Sequence, residues 1–301
     1  MKTVYITGIS GFIGSNIANK LFADGYTVEG CDNLKFGYAE NLNENIKWHN
    51  ISVADVDYGY VNSFDCLVIA HCDNLPYSVE HPIETFKTNS LDTINLINKY
   101  KGDIVYLSTS STYGMADEFP TKENADDKCT NAYDTSKLLV EKYLEAVGGY
   151  TTLKLTNVYG KFQRSTNPYC GVLGKFIQNG FNNEPMNIFG DGSSTRDYTH
   201  VSDVIEAVKT TIDSKPLEEN INIGTQIETS TKQLAQIVSS AFDKLTNIRN
   251  MSERSIDTIV KRRCLDITKA KELLGWTPTI DLEAGIRLTI EWMKSEKAKE
   301  D

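Results

Sequence analysis

The sequence predicts an α/β protein: a doubly wound parallel sheet with a smaller mixed cap contributed mostly by the C-terminal part. Three observations predict it. Short apolar strands alternate with amphipathic helical stretches through the first half of the chain. A glycine triplet, Gly8, Gly11 and Gly14, stands between the first strand and the first helix. Beyond Gly160 the texture changes, with longer loops and a gathering of prolines and asparagines from Gln163 to Pro168. Residues 1–160 are therefore expected to form the sheet domain, with later segments returning to it, and residues 161–301 mainly the cap.

Lys2 to Thr7 reads as the first strand, and the helix after the glycines runs through about Ala23. A strand, a glycine turn and a helix N-terminus make a pyrophosphate cradle of the Rossmann type, because glycines let the backbone approach the phosphates and free N–H groups bind their oxygens. Gly8, Gly11, Phe12, Ile13 and Gly14 are the expected contacts. A second strand, Thr27 to Cys31, ends at Asp32-Asn33. A carboxylate about 20 residues past the glycines bonds ribose hydroxyls and repels a 2′-phosphate, which favours NAD over NADP.

Ile46 to Asn50 reads as the third strand and Asp65 to Ala70 as a fourth, buried one. A helix follows from Pro82 to Tyr100. The fifth strand, Asp103 to Ser108, runs into the hydroxyl-rich turn Thr109-Ser110-Ser111-Thr112-Tyr113-Gly114, at the sheet edge where ligands bind. Asn131 caps a helix that carries Tyr133 and Lys137 and ends near Val147. One more strand, Thr151 to Leu155, leads to Asn157-Val158-Tyr159-Gly160. Later helices are read at Val201 to Ile212, Thr231 to Leu245, Thr268 to Leu274 and Leu282 to Lys294, with a charged, frayed tail from Ser295. The stretch from Thr246 to Val260 shows no clear period.

On a helix, Tyr133 and Lys137 are one turn apart on one face. An ammonium beside a phenol stabilises the phenolate, and lowering a tyrosine pKa from about 10 to about 7 takes roughly 4 kcal/mol. Such a tyrosine can take a proton from an alcohol while a hydride leaves the same carbon. A second copy of the spacing, Tyr150 to Lys154, falls in a strand, where four residues span about 13 Å and the lysine is too far away to act.

The net charge of −10, with no basic stripe, disfavours nucleic-acid binding. The four histidines lack ligand spacing with one another, so no metal site is expected. The six cysteines form no Cys-x-x-Cys pair. Cys31, Cys66 and Cys72 read as buried thiols in apolar runs, consistent with a reduced, cytoplasmic protein. No apolar run is long enough to cross a membrane, and no signal peptide precedes the first strand.

Together the motifs Thr7-Gly8-x-x-Gly11-Phe12-Ile13-Gly14, Asp32-Asn33, Asn89, Thr109 to Gly114, Tyr133-x-x-Ser136-Lys137, Asn157 to Gly160, Gly190-Asp191-Gly192, Arg196 to Asp203 and Asp266 to Pro278 resemble the extended short-chain dehydrogenase/reductase family, in its NAD-dependent nucleotide-sugar epimerase/dehydratase branch. The likeness covers nearly the whole chain. Departures stand at Ile69-Ala70-His71-Cys72, where the family has His-x-Ala-Ala, and at Asn50-Ile51, where an Asp-Ile pair contacts adenine.

The resemblance implies that Tyr133, aided by Thr109 and Lys137, takes the proton from the sugar's 4-hydroxyl as a hydride passes to NAD. Dehydratases of the branch follow this threonine with Asp-Glu, and decarboxylases keep the Glu. Here both places are serine, Ser110 and Ser111, whose hydroxyls titrate too high to replace a carboxyl base. A 4-epimerase on a UDP-sugar is therefore favoured over a decarboxylase, dehydratase or reductase. A non-catalytic dinucleotide-binding module is disfavoured, since both Tyr133 and Lys137 are present.

For the substrate, Ser110, Ser111 and Asn157 are expected near the sugar or its phosphates, Phe189 at the base, and Arg196 and Arg254 at the pyrophosphate. Arg263 and Arg164 resemble arginines of uronate-handling relatives and raise UDP-glucuronate as a substrate. A homodimer through the helices near residues 85–100 and 132–147 is implied by the resemblance alone.

Overall fold

Seven parallel strands form the central sheet: β1 (Thr3–Thr7), β2 (Thr27–Asp32), β3 (Lys47–Asn50), β4 (Cys66–Ile69), β5 (Asp103–Thr109), β6 (Tyr150–Leu155) and, later in the chain, Asn220–Ile223. The computed structural model describes residues 2–163, 171–242, 247–252 and 260–300, with backbone alone at 297–300. From one edge the order is Asn220–Ile223, β6, β5, β4, β1, β2, β3. The chain builds outward from β1 in one direction, then in the other, so the order reverses between β1 and β4. Parallel register brings Thr7, Cys31 and Ile69 level, and Thr109 level with Leu155. One edge of the sheet thus collects the glycine turn, the Asp32 corner and the Thr109 turn.

Side chains alternate across the sheet, as the two-residue strand period requires. Val4 and Ile6 of β1 join a core with Ile17 and Leu21 of the helix Phe12–Ala23 and Val204 and Val208 of the helix Val201–Asp213. Tyr5 joins the opposite core, with Leu96 of the helix Thr93–Lys99 and Val140 and Leu144 of the helix Ala132–Val147. β4 is buried at every residue, which is why it reads as an unbroken apolar run.

A third core lies apart from the two on the sheet, mostly among C-terminal elements. Phe176 and Ile177 of the helix Val172–Asn182 pack with Met186, Ile188, Leu234, Val238 and Ile286. Strand Met186–Phe189 pairs with Ile248–Met251, which places a strand in the stretch that shows no clear sequence period. Helix Thr231–Ala241 stops four residues short of the expected end, and the last helix, Leu282–Glu300, continues through the charged tail expected to fray from Ser295.

Two buried aspartates join cap to sheet. Asp197 is fully buried and accepts the backbone N–H groups of Thr225 (2.8 Å), Gln226 (3.1 Å) and Leu265 (3.3 Å). Asp203 accepts those of Thr279 (2.9 Å) and Ile280 (3.1 Å). Their carboxylates tie the segments around residues 225, 265 and 279 to the stretch that follows Arg196.

Candidate active site

The glycine turn fits a dinucleotide for steric reasons. Gly8 has φ +70, and a Cβ there would lie 2.7 Å from the His71 Cα. A Cβ on Gly14 would lie 2.1 Å from the Gly8 carbonyl oxygen. Helix Phe12–Ala23 begins at Gly11 without a side-chain cap, so its first N–H groups face the turn. The turn lines a cleft of 280 Å³ with Phe12, Ile13, Asp32, Asn33 and Ile51. Asn50 is an exposed residue at the end of β3, outside this lining. The Asp32 carboxylate accepts Ser10 N–H at 3.0 Å and Leu34 N–H at 2.8 Å, and burial raises its pKa. These groups would hold NAD, with Asp32 toward a ribose.

Tyr133 and Lys137 lie on the helix Ala132–Val147, capped by Asn131, whose side-chain oxygen accepts the Asp134 N–H at 2.9 Å. Lys137 is 3 % exposed. Its ammonium stands 4.2 Å from the centre of the Tyr106 ring. Burial lowers the Lys137 pKa. Burial also raises that of Tyr133, with Cys72 adding to the rise and a hydrogen bond to Thr109 and the Arg263 charge opposing it. This corrects the expectation that Lys137 brings the phenol down: in the protein alone, desolvation of the phenolate outweighs every neighbouring charge.

Thr109 caps the turn Ser110–Tyr113: its hydroxyl oxygen accepts the Ser111 N–H at 3.1 Å and lies 3.0 Å from the Ser111 hydroxyl. Ser110 and Ser111 are 2 % and 3 % exposed, and the Ser111 hydroxyl is turned to Thr109. The helix is locked from behind by a π-helical stretch, Lys87–Asp92, of the kind that often marks functional sites. From it, Asn89 donates to the Ser136 hydroxyl at 3.1 Å and Ser90 donates to the Ser136 carbonyl at 3.0 Å.

Two turns beyond Tyr133, Glu141 is fully buried. It accepts from Lys154 of β6 at 2.9 Å and from the Ser108 hydroxyl. The Lys154 ammonium also faces the Tyr113 ring at 4.1 Å. Lys154, read as too far along its strand to act with Tyr150, is a buried ion-pair partner of the helix that carries Tyr133.

Sequence reasoning gave no role to several residues of the cleft, Cys72 and His71 among them. Cys72, expected as a buried thiol in an apolar run, lies past the end of β4, half-buried in the cleft and in the electrostatic reach of Tyr133. His71 lies between Thr7 Oγ1 (2.7 Å from Nδ1) and Thr93 Oγ1 (2.9 Å from Nε2), and burial pushes its pKa down to about 3. The signal was their departure from the family's Ala-Ala pair.

On the cap side, Arg196 donates to the carbonyls of Thr195 (2.7 Å), Lys261 (3.3 Å) and Val260 (2.9 Å). Asn157 donates its amide to the Asp197 carbonyl at 3.2 Å. Phe189 ends its strand 36 % exposed. Arg263 lies in the electrostatic reach of Tyr133, Asp134 and Arg196. Burial, then Arg196, pulls its pKa down to about 10, and its Nε is buried without a hydrogen-bond partner among the described residues. Arg164 and Arg254 lie outside the described residues.

The family model for the NAD dependent epimerase/dehydratase family matches residues 4–224. The UDP-glucose 4-epimerase of Mycolicibacterium smegmatis is 31% identical over 98% of this chain and 99% of its own length. The UDP-N-acetyl-alpha-D-glucosaminuronate decarboxylase of Bacillus cytotoxicus is 31% identical over 97% of this chain and 98% of its own. Among solved structures, the UDP-glucose 4-epimerase of Thermotoga maritima with UDP-glucose matches at TM-score 0.91 and 31% identity, covering 98% of this chain and 99% of that one.

Proposed function

The chain belongs to the NAD-dependent epimerase/dehydratase family of nucleotide-sugar enzymes, and from that premise we propose that it is a UDP-sugar 4-epimerase working through a transient 4-keto sugar. NAD, when bound, supplies the acceptor and donor for the hydride of carbon 4 and, in its oxidised form, positive charge. Tyr133, aided by Thr109, takes the proton of the 4-hydroxyl and returns it after the ketone has turned over in the site. Arg196 binds the pyrophosphate, with Phe189 toward the base.

One observation carries the choice of reaction: the turn after Thr109 offers serines, not carboxyl groups, at Ser110 and Ser111. Elimination or decarboxylation needs further acid/base groups, whereas inversion needs only the return of the same hydride and proton. Arg263 favours a uronic acid as the sugar, because a buried Nε with no partner beside Tyr133 suits a carboxylate. A decarboxylase is the second reading, on the same arginine and the decarboxylase relative.

Incubation with neutral and acidic UDP-sugars, read by proton NMR, tests both. A 4-epimer with no carbon dioxide and no net NADH is expected, with UDP-glucuronate turned over fastest. A pentose product, or a 6-deoxy-4-keto sugar, overturns the epimerase reading; preference for UDP-glucose overturns the uronate. The enzyme is further proposed to be a homodimer through its helices near residues 85–100 and 132–147.

A further inference from the structure

Two loops meet across the cofactor cleft, and the carbon-4 chemistry makes no use of their contact. The first follows β2. Leu34 takes a left-handed backbone (φ 58), with its N–H on Asp32 Oδ1 at 2.8 Å, and the Lys35 N–H on Asn33 Oδ1 at 3.0 Å. A bulky residue in this region is strained and marks a turn held by its surroundings. The turn throws Lys35 and Phe36 toward the second loop, which follows β4. There Asn89 holds Asp73 by both backbone groups, accepting its N–H at 2.7 Å and donating to its carbonyl at 2.9 Å.

The loops join at Lys35. Its ammonium donates to Asp73 Oδ1 at 2.7 Å and stands 3.7 Å from the centre of the Tyr77 ring. Phe36 meets Tyr77 edge-on at 5.5 Å, and Tyr77 stacks on His81 at 4.2 Å. β2 and β4 flank β1 on either side, so the bridge crosses the glycine turn at the end of β1. Lys35, Phe36 and Asp73 line the same cleft as Gly8, Gly14 and Asp32.

The charges are arranged for a ligand. Lys35 is the sole lysine or arginine among the residues lining the cleft, which also carries Asp32 and Asp73. Burial works to lower its pKa, yet its bonds to Asp73 and Tyr77 outweigh burial and hold it above the ordinary value. A dinucleotide brings two phosphate charges into this cleft. Asp73 is 2 % exposed, and its second oxygen, Oδ2, is buried with no hydrogen-bond partner among the described residues. Leaving a buried charged acceptor unmet is costly, and a donor on a bound ligand removes that cost.

We propose that Lys35 and Asp73 are cofactor-binding residues that form a clasp over NAD: the Lys35 ammonium is shared between Asp73 and the diphosphate, and Asp73 Oδ2 accepts a hydroxyl of the cofactor. The clasp keeps the reduced cofactor in place while the ketone turns over. Retention of this kind does not depend on which sugar is used, so failure of the sugar assay leaves it untouched.

Release of NADH reads the clasp directly. The full chain is loaded with NADH, mixed with excess NAD, and followed by NADH fluorescence. Lys35→Ala is expected to release NADH about ten-fold faster, the equivalent of about 1.4 kcal/mol. Asp73→Asn is expected to be faster than wild type, and Lys35→Arg close to it, because the charge is kept. Wild-type release should quicken with added salt and that of Lys35→Ala should not. Equal release by wild type and a folded Lys35→Ala overturns the clasp. So does wild-type release that is indifferent to salt, a result that needs no variant.

Discussion

In the proposed reaction Tyr133 accepts a proton, yet its surroundings favour keeping one. Lys137 shows the mirror image, an ammonium that burial pushes toward its neutral form. Both follow from low polarisability around the pair: each isolated charge is disfavoured, and each becomes favourable when its opposite forms nearby. Ionisation of the phenol is therefore favoured by positive charge in the site, here that of Arg263. Tyr133→Phe should lower turnover by about 10²- to 10⁴-fold while bound NAD per subunit stays unchanged. Turnover within a few-fold of wild type would remove Tyr133 from the chemistry. His71 makes a stability prediction. Its folded pKa of about 3 lies below the ordinary 6.5, so the unfolded chain binds the extra proton. Stability from this residue is complete above pH 6.5 and is lost as pH falls toward 3. Between these limits the slope approaches one proton, about 1.4 kcal/mol per pH unit. Denaturation of wild type and His71→Gln from pH 7 to pH 4 should give a shallower slope for the variant; equal slopes would show that His71 is not held neutral.

At the scale of elements, the glycine turn and the catalytic helix were legible in the sequence because each is local. The residues that make them lie within one strand–turn–helix or one helical turn. What the sequence hides is distant pairing. Lys35 and Asp73 are 38 residues apart, and Glu141 and Lys154 come from a helix and a strand whose facing depends on the whole sheet. The Tyr106 ring beside the Lys137 ammonium is hidden for the same reason, since it comes from β5. Arg164 and Arg254 lie outside the described residues, and their places in the site rest on the sequence alone. The Glu141–Lys154 pair also carries an energetic expectation. Both side chains are nearly inaccessible, at 1 % and 3 %. Removing the Glu141 charge leaves the buried Lys154 with Asp127 alone, at 3.5 Å, so Glu141→Gln should cost about 3 kcal/mol. Urea denaturation measures it, and a loss under about 1 kcal/mol would mean that Asp127 suffices for the lysine.

At the scale of the molecule, apolar side chains remain on the helices over the second core. Leu91 is 56 % exposed, Leu139 48 % and Val147 51 %. Exposed apolar side chains on these helices fit the proposed pairing of two copies. Light scattering should give twice the mass of one chain, and Leu139→Asp should shift it toward the single chain. A wild-type monomer at micromolar concentration would end the dimer proposal.

The seventh strand has a consequence for synthesis. Asn220–Ile223 covers the edge of β6, which ends at Leu155, and pairs with it residue for residue. At about 5–20 residues per second, residues 156–219 take roughly 3–13 s to emerge from the ribosome. For that interval the nascent chain carries an open strand edge on a strand that is buried at every residue in the finished fold, the kind of surface that recruits other strands. The intervening segment is thus also a delay, and its passage through the exit tunnel is the moment when this chain most needs a chaperone.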